Sequence, residues 1–231
     1  MKVLLFDIDG TLIRAGGAGR KALNRAAYVL YGKKHACSEL SLAGRTDLYN
    51  FGAAYQAATG KKPTRAAVER LHREYLKHLP YYVKMAIRNG TYHVPAGLKT
   101  LLKRLARDRR LLLGLGTGNM EKGARIKLEP SGFNAYFLFG GYGSDSFHRA
   151  VLLKKAVVRA EKLAKKPLKG NDVYVIGDTP YDVSAGKKAG FKTVAVGTGY
   201  ADWKELVAAK PDHIARDFRG TEKWLSWFRL S

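Results

Sequence analysis

The stretch Lys2-Val-Leu-Leu-Phe-Asp7-Ile-Asp9-Gly10-Thr11-Leu12 drives a short apolar run straight into two aspartates, a glycine and a threonine. An apolar run bounded by turn chemistry reads as a buried strand of a parallel sheet. Open parallel sheets carry their sites beyond the carboxyl ends of their strands, which is where Asp7 and Asp9 fall. Two carboxylates this close repel, and desolvating them uncompensated costs several kcal/mol each, on the order of 5. A cation is therefore expected to pair with them. A calcium loop does not fit, because that loop needs glycine at its sixth position and glutamate at its twelfth. Here Gly10 stands fourth and Ala18 twelfth. An ordinary strand-to-turn exit, which also favours Asp and Gly, is the plain alternative.

Outward from this strand, Arg14–Gly19 is glycine-rich and reads as a hinge, since it lacks the Gly-Lys-Ser/Thr ending of a phosphate loop. Helical spacing then recurs at Arg20–Tyr31, Leu48–Thr59, Arg65–Leu79 and Tyr82–Arg88, with Thr46 or Asp47 capping the second of these. Four helices without an intervening strand predict an all-helical insertion, residues 15–92. After Val94-Pro95 strands and helices alternate. Strands are expected at Leu111–Leu115, Tyr136–Phe139, Val173–Ile176, Thr193–Val196 and His213–Ala215, and Ala150–Ala164 is one of the helices between them. The predicted fold is α/β, a Rossmann-like three-layer parallel-sheet core (residues 1–14 and 93–231) carrying the inserted helical cap.

The chain has 231 residues, 46% of them hydrophobic, one cysteine (Cys37) and a net charge of +23. No apolar run is long enough to span a membrane, and Met1-Lys2 leads directly into the first strand without a signal-peptide pattern. With no intramolecular disulfide, a cytoplasmic location is expected. The charge raises the question of nucleic acid. Residues 15–92 hold 14 basic and 4 acidic residues, a net +10, and the remainder a net +13. Neither part shows a continuous basic stripe with interleaved aromatics. The cations are read as solvated faces that draw anionic substrates inward, and a nucleic-acid partner is not expected.

Three strand ends carry groups suited to one task. Asp7/Asp9, Thr117/Asn119 and Asp178/Asp182 share a rim if their strands are neighbours. Asp178 adds a third carboxylate, enough with Asp7 and water for an octahedral magnesium ion. Thr117, with the amides of Gly118 and Asn119 at a helix start, suits phosphate oxygens. A dinucleotide loop is excluded at Gly114-x-Gly116-x-Gly118, because Asn119 stands where the pattern needs glycine. The six histidines have no shared spacing, so zinc is not expected, and His148 is read as a helix-start residue.

With these residues in place, the chain resembles the haloacid dehalogenase superfamily of phosphohydrolases. Asp7-Ile-Asp9-Gly10-Thr11 is similar to its first motif, Thr117 to its second and Gly177-Asp178-x-x-x-Asp182 to its fourth. The segments Gly-Gly-Ala-Gly-Arg20 and Ala-Gly-Arg45-Thr-Asp47 look like cap segments of phosphoglycolate-phosphatase-like members. The resemblance implies Asp7 as nucleophile and Asp9 as general acid and base. It implies magnesium bound by Asp7, the Asp9 carbonyl and Asp178, with Asp182 as ligand or support, and phosphate bound by Gly10, Thr117, Gly118 and Asn119. The family's third motif usually supplies lysine. Here Arg149 best fits the position, with Lys154 or Lys155 as alternatives. Arg45 is expected to recognise a second anionic group on a small phosphorylated metabolite. Dehalogenation is disfavoured because Asp9 is present, whereas a sugar-phosphate mutase would use the same pair. A regulatory or nucleic-acid-binding protein on this fold is the non-enzymatic alternative. A monomer or homodimer is expected.

Overall fold

Strand β1 (Lys2–Phe6) alternates its side chains between two cores, Val3 and Leu5 to one face and Leu4 and Phe6 to the other, all fully buried. A strand buried on both faces sits inside a sheet covered by helices on both sides. In the computed structural model, which describes residues 1–230, β1 is flanked by β4 (Leu111–Gly116) and β6 (Val173–Gly177). Outside these lie β5 (Phe139–Gly141) beside β4, then β7 (Lys192–Val196) and β8 (His213–Ala215) beyond β6. The six strands run in the order β5-β4-β1-β6-β7-β8, every neighbouring pair parallel. The winding direction reverses at β1, and such a reversal opens a crevice at the carboxyl edge.

One face is covered by α6 (Arg149–Ala164) and α7 (Pro180–Ala189), whose Leu152, Leu153, Ala156 and Ala185 pack on Val3, Leu5 and Val175. The other face receives α4 (Leu98–Ala106) and α9 (Thr221–Trp227), through Leu98, Leu101, Leu102, Leu105 and Trp224. Trp224 stacks on Phe218 at 4.9 Å between ring centroids. The remaining helices are α5 (Glu121–Leu128) and α8 (Trp203–Ala208).

Between β1 and α4 stand α1 (Ala18–Tyr31), α2 (Asp47–Thr59) and α3 (Arg65–Arg88). Leu23, Phe51, Leu71, Tyr75 and Leu79 bury their side chains there, continuous with the core of the α4 face. Thr46 caps α2 by accepting from the Tyr49 amide at 3.5 Å. The sequence reading of four helices is corrected to three, since Arg65–Arg88 is one continuous helix across Pro80. Proline inside a helix costs about 3 kcal/mol. Leu79 and Val83, buried on either side of it, each contribute roughly 1.5–3 kcal/mol when the helix runs on. Pro80 itself is exposed, so its missing donor leaves a bond lost on the wet side.

Two further expectations shift. The strand predicted at Tyr136–Phe139 is a 3-10 turn at Phe133–Tyr136 followed by β5 at Phe139–Gly141. A Cβ on Gly141 would collide with the Leu152 backbone, so this strand needs glycine for α6 to cross close above it. The hinge at Arg14–Gly19 is partly tied down: β2 (Arg14–Ala15) pairs antiparallel with β3 (Tyr92–His93), joining the two chain crossings into one ribbon.

Truncating Trp224 to alanine should cost about 3–5 kcal/mol of stability, because a large side chain leaves a cavity under α9. Urea unfolding followed by circular dichroism reads this directly. A loss under 1 kcal/mol would mean that α9 does not close the core.

Candidate active site

Asp7 begins where β1 ends, its amide donating to the Ile176 carbonyl at 2.9 Å. Register places Leu115 and Ile176 on either side of Phe6, so Asp7, Thr117 and Asp178 emerge side by side from three adjacent strands. The carboxylates of Asp7, Asp178 and Asp182 bring oxygens within 4.8 Å of one another, and all three residues are buried. The Arg149 guanidinium lies 3.4 Å from Asp7 Oδ1 and pairs with Asp182 Oδ1. Burial pushes the Asp7 carboxyl up to about 6, with Arg149 pulling the other way and Asp182 and Asp9 adding to the rise. Burial, then repulsion from Asp182 and Asp7, lifts Asp178 well above the usual carboxylate range. Three carboxylates against one guanidinium leave negative charge without a partner.

The donor set fits a hard divalent cation. Asp178 is held by Thr11 Oγ1, which donates to Oδ1 at 3.1 Å, and by the Tyr200 amide, which donates to Oδ2 at 3.1 Å. Asp182 spends both oxygens: Oδ2 accepts from the Thr179 amide and hydroxyl, capping α7, and Oδ1 takes Arg149. Asp182 thus accepts three bonds and Asp178 two, which makes Asp182 the more heavily committed of the pair. Gly10 (φ +89°) explains the close approach of the first turn, since a Cβ there would overlap the Asp178 carboxylate. Its amide donates to the Ile13 carbonyl at 2.8 Å.

Asp9 stands farther out, on the wall of a cavity of about 270 Å³ that also includes Asp7, Gly118, Asn119, Arg149 and Arg45. Its Oδ2 accepts from Asn119 Nδ2 at 2.9 Å and from Lys127 Nζ at 2.6 Å. Thr117 is fully buried beneath this wall. The Thr117 hydroxyl accepts from the Asn119 amide at 3.2 Å and from Asn119 Nδ2 at 2.9 Å.

Lys127 escaped the sequence reading. It is buried on α5, where Gly123, Ala124, Lys127 and Leu128 form the inward stripe, and it donates to Asn119 Oδ1 at 2.6 Å as well as to Asp9. Burial opposes its charge, but Asp9, Tyr75 and Asp47 outweigh that and raise its pKa. A lysine inside an apolar helical stripe is the signal that could have revealed it.

From the cap side, Arg45 reaches the same cavity with its guanidinium over two rings, 4.7 Å from the Tyr49 centroid and 5.2 Å from that of Tyr181. Its loop is bonded to the sheet edge, because the Asp47 amide donates to the Gly118 carbonyl at 2.7 Å and Asp47 Oδ2 accepts from the Met120 amide at 2.8 Å. Burial raises the Asp47 carboxyl to about 6 against the pull of Lys127. A Cβ on Gly118 would strike the Arg45 carbonyl, so glycine there lets cap and core touch. Lys154 and Lys155 are exposed on α6, the latter donating to the Asp145 carbonyl, and neither lines the cavity.

Residues 1–190 match the family model described as haloacid dehalogenase-like hydrolase. This chain belongs to that family. As a haloacid dehalogenase-like hydrolase it is 30% identical over 118 residues to the phosphoglycolate phosphatase of Synechococcus elongatus. That match spans about half of each protein, 51% of this chain and 52% of the relative. Among solved structures, it resembles a predicted phosphoglycolate phosphatase from Haemophilus somnus, with TM-score 0.69, 19% identity and 97% of each chain covered. It also resembles CbbY from Rhodobacter sphaeroides in complex with phosphate, with TM-score 0.71, 16% identity and 94% and 95% of the two chains covered. These two likenesses establish the fold. No helix among the described residues is long and apolar enough to cross a membrane.

Magnesium should raise the melting temperature of the protein, and by more at pH 7.5 than at pH 5. The folded Asp7 carboxyl sits at about 6, above its ordinary 3.8. Its contribution to metal-free stability is therefore present below pH 4 and lost as pH rises through 6. Metal binding reverses the loss, since the ion competes with protons for the same oxygens. At a free ion concentration 100 times the dissociation constant, the gain is about 2.7 kcal/mol. Differential scanning fluorimetry tests this, and an Asp178→Asn variant should lose most of the gain.

Proposed function

We propose that this protein is a magnesium-dependent phosphatase acting on small phosphate monoesters, phosphoglycolate-phosphatase-like, through an aspartyl-phosphate. The observation that carries the reading is the Asp7 carboxylate, held 3.4 Å from Arg149 and within one ligand sphere of Asp178 and Asp182. Magnesium at Asp7, the Asp9 carbonyl and Asp178 would offset charge on the phosphoryl oxygens, work that fixed cations do best in a dry site.

Asp7 attacks phosphorus in line, forming a carboxylate oxygen–phosphorus bond as the ester oxygen leaves with its electron pair. Asp9 passes a proton to that oxygen and later takes one from the water that attacks the aspartyl-phosphate, releasing inorganic phosphate and restoring Asp7. Arg149 offers a planar fork to the phosphoryl oxygens. Gly118 and Asn119 complete the cradle, and Thr117 supports it from below. Lys127 fixes the direction of the Asp9 carboxylate toward the leaving group. Arg45, stacked on two tyrosines, meets a second anionic group on the substrate. The cap, residues 15–92, closes over the cavity through Asp47 and excludes bulk water. A cavity of about 270 Å³ limits the substrate to a small metabolite.

A panel of phosphorylated metabolites, assayed for inorganic phosphate with and without magnesium, tests the reading. Asp7→Asn should reduce turnover by about three orders of magnitude or more. Release of phosphate only in the presence of a sugar bisphosphate would identify a mutase. Arg149→Ala with near-normal kinetics would remove that residue from the scheme. Lys127→Met should slow alkyl phosphates, which need a proton on the departing oxygen, by about a hundredfold. The same variant should slow p-nitrophenyl phosphate far less, because nitrophenolate leaves unprotonated. Parallel losses on both substrates would make Lys127 a packing residue only.

A further inference from the structure

The cap carries a second concave surface, away from the catalytic cavity. It is a shallow, open depression of about 480 Å³ lined by Lys21, Asn24, Arg25, Tyr28, Lys34, His35 and Tyr82. Tyr28 is 39% exposed, and two cations approach its ring, Arg25 at 5.5 Å and Lys34 at 5.9 Å from its centroid. Tyr82, brought in by α3, packs edge-on against Tyr81 at 5.2 Å, and Tyr81 is 61% exposed. In sequence these residues are scattered over two helices and a loop. Packing of α1 against α3 gathers them on one side of the cap.

No acidic residue occurs at positions 15–38 or 75–107, the segments that build this surface. The acids of the cap lie elsewhere. Glu39 is exposed in the loop after Ser38, Glu69 and Glu74 occupy the earlier half of α3, paired with Arg65 and with Lys77 and His78, and Asp47 is docked on the core. Among the described residues no carboxylate pairs with Arg25 or Lys34, and the Tyr28 ring beside them stays partly exposed. Phosphates spaced along a strand satisfy the cations, and an unstacked base satisfies the ring. A duplex would present phosphates alone and leave Tyr28 and Tyr81 in water.

We propose that this face of the cap binds single-stranded nucleic acid, with Lys21, Arg25 and Lys34 on phosphates and Tyr28 stacking a base. The role is separate from the phosphatase reading and stands or falls without it.

The test is fluorescence anisotropy of a labelled twelve-nucleotide single-stranded RNA titrated with the full chain at several salt concentrations. Arg25→Gln/Lys34→Gln should weaken binding by about tenfold and reduce the slope of log affinity against log salt by about 1.4. Tyr28→Ala should weaken it by about fivefold or more with little change in slope. A control pair that removes the same charge from the core, Lys162→Gln/Lys166→Gln, should bind within twofold of the parent. Circular dichroism and phosphate release identify any variant that fails to fold. If the control pair loses as much as the cap pair, general charge attraction explains the binding and the proposal is overturned. Absence of RNA binding overturns it, as does preference for vesicles rich in phosphatidylserine over RNA.

Discussion

The structure turns on how negative charge is tolerated at the end of β1. Asp7, Asp178 and Asp182 are buried within one ligand sphere, and Arg149 is the cation that touches two of them. Such crowding raises the carboxyls of Asp7 and Asp178, so that the protein alone holds them at a cost. Every feature nearby reduces that cost or exploits it. Glycines at 10 and 199 remove the Cβ atoms that would overlap Asp178, and Thr11 and Tyr200 donate to its oxygens. A site that is strained without a divalent ion is ready to take one, which is the physical logic of the proposed chemistry.

A second charge pair stands one turn away. Lys127 reaches from α5 beneath the cap to Asp9 and Asn119, and the bonded chain Lys127–Asn119–Thr117 links the wall of the cavity to its floor. Because Lys127 is buried, its geometry is set by packing: a Cβ on Gly19, in the first turn of α1, would come 3.3 Å from its ammonium. The position of the cap and the direction of Asp9 are thereby coupled through one side chain. Asp47 adds the backbone bonds that hold the same cap loop on the sheet edge. In the proposed scheme those bonds open to admit substrate, so that recognition by Arg45 and shielding from water belong to one motion.

Much of this was legible in the chain. The first strand, its aspartates and the Gly177-Asp178 turn are local signals, an apolar run stopped by turn residues, and each lies where its run ends. Side-chain chemistry narrowed the cap of α2 to Thr46 or Asp47, and the structure has Thr46. Other features were not local. The helical spacing was read as ending at Leu79 and resuming at Tyr82, on either side of Pro80, and only burial on both sides of it joined the two. Phe139–Gly141 looked unlike a strand because its glycines answer to a helix crossing overhead. Arg149 was assigned to the family's third motif by position, whereas its contacts with Asp7 and Asp182 depend on how α6 enters the crevice.

The sequence by itself determined the alternation of strands and helices, the insertion after β1 and the acidic residues at the strand ends, because apolar period and turn chemistry act over a few residues. Tertiary structure decided which of those residues meet. It set Gly10 against the Asp178 carboxylate, brought Lys127 to Asp9 across more than 100 positions, and gathered Arg25, Tyr28, Lys34 and Tyr82 on one face. Charges and hydrogen-bonding groups act through space over a few ångströms, and the neighbours that set their energies are chosen by packing, which no local pattern encodes.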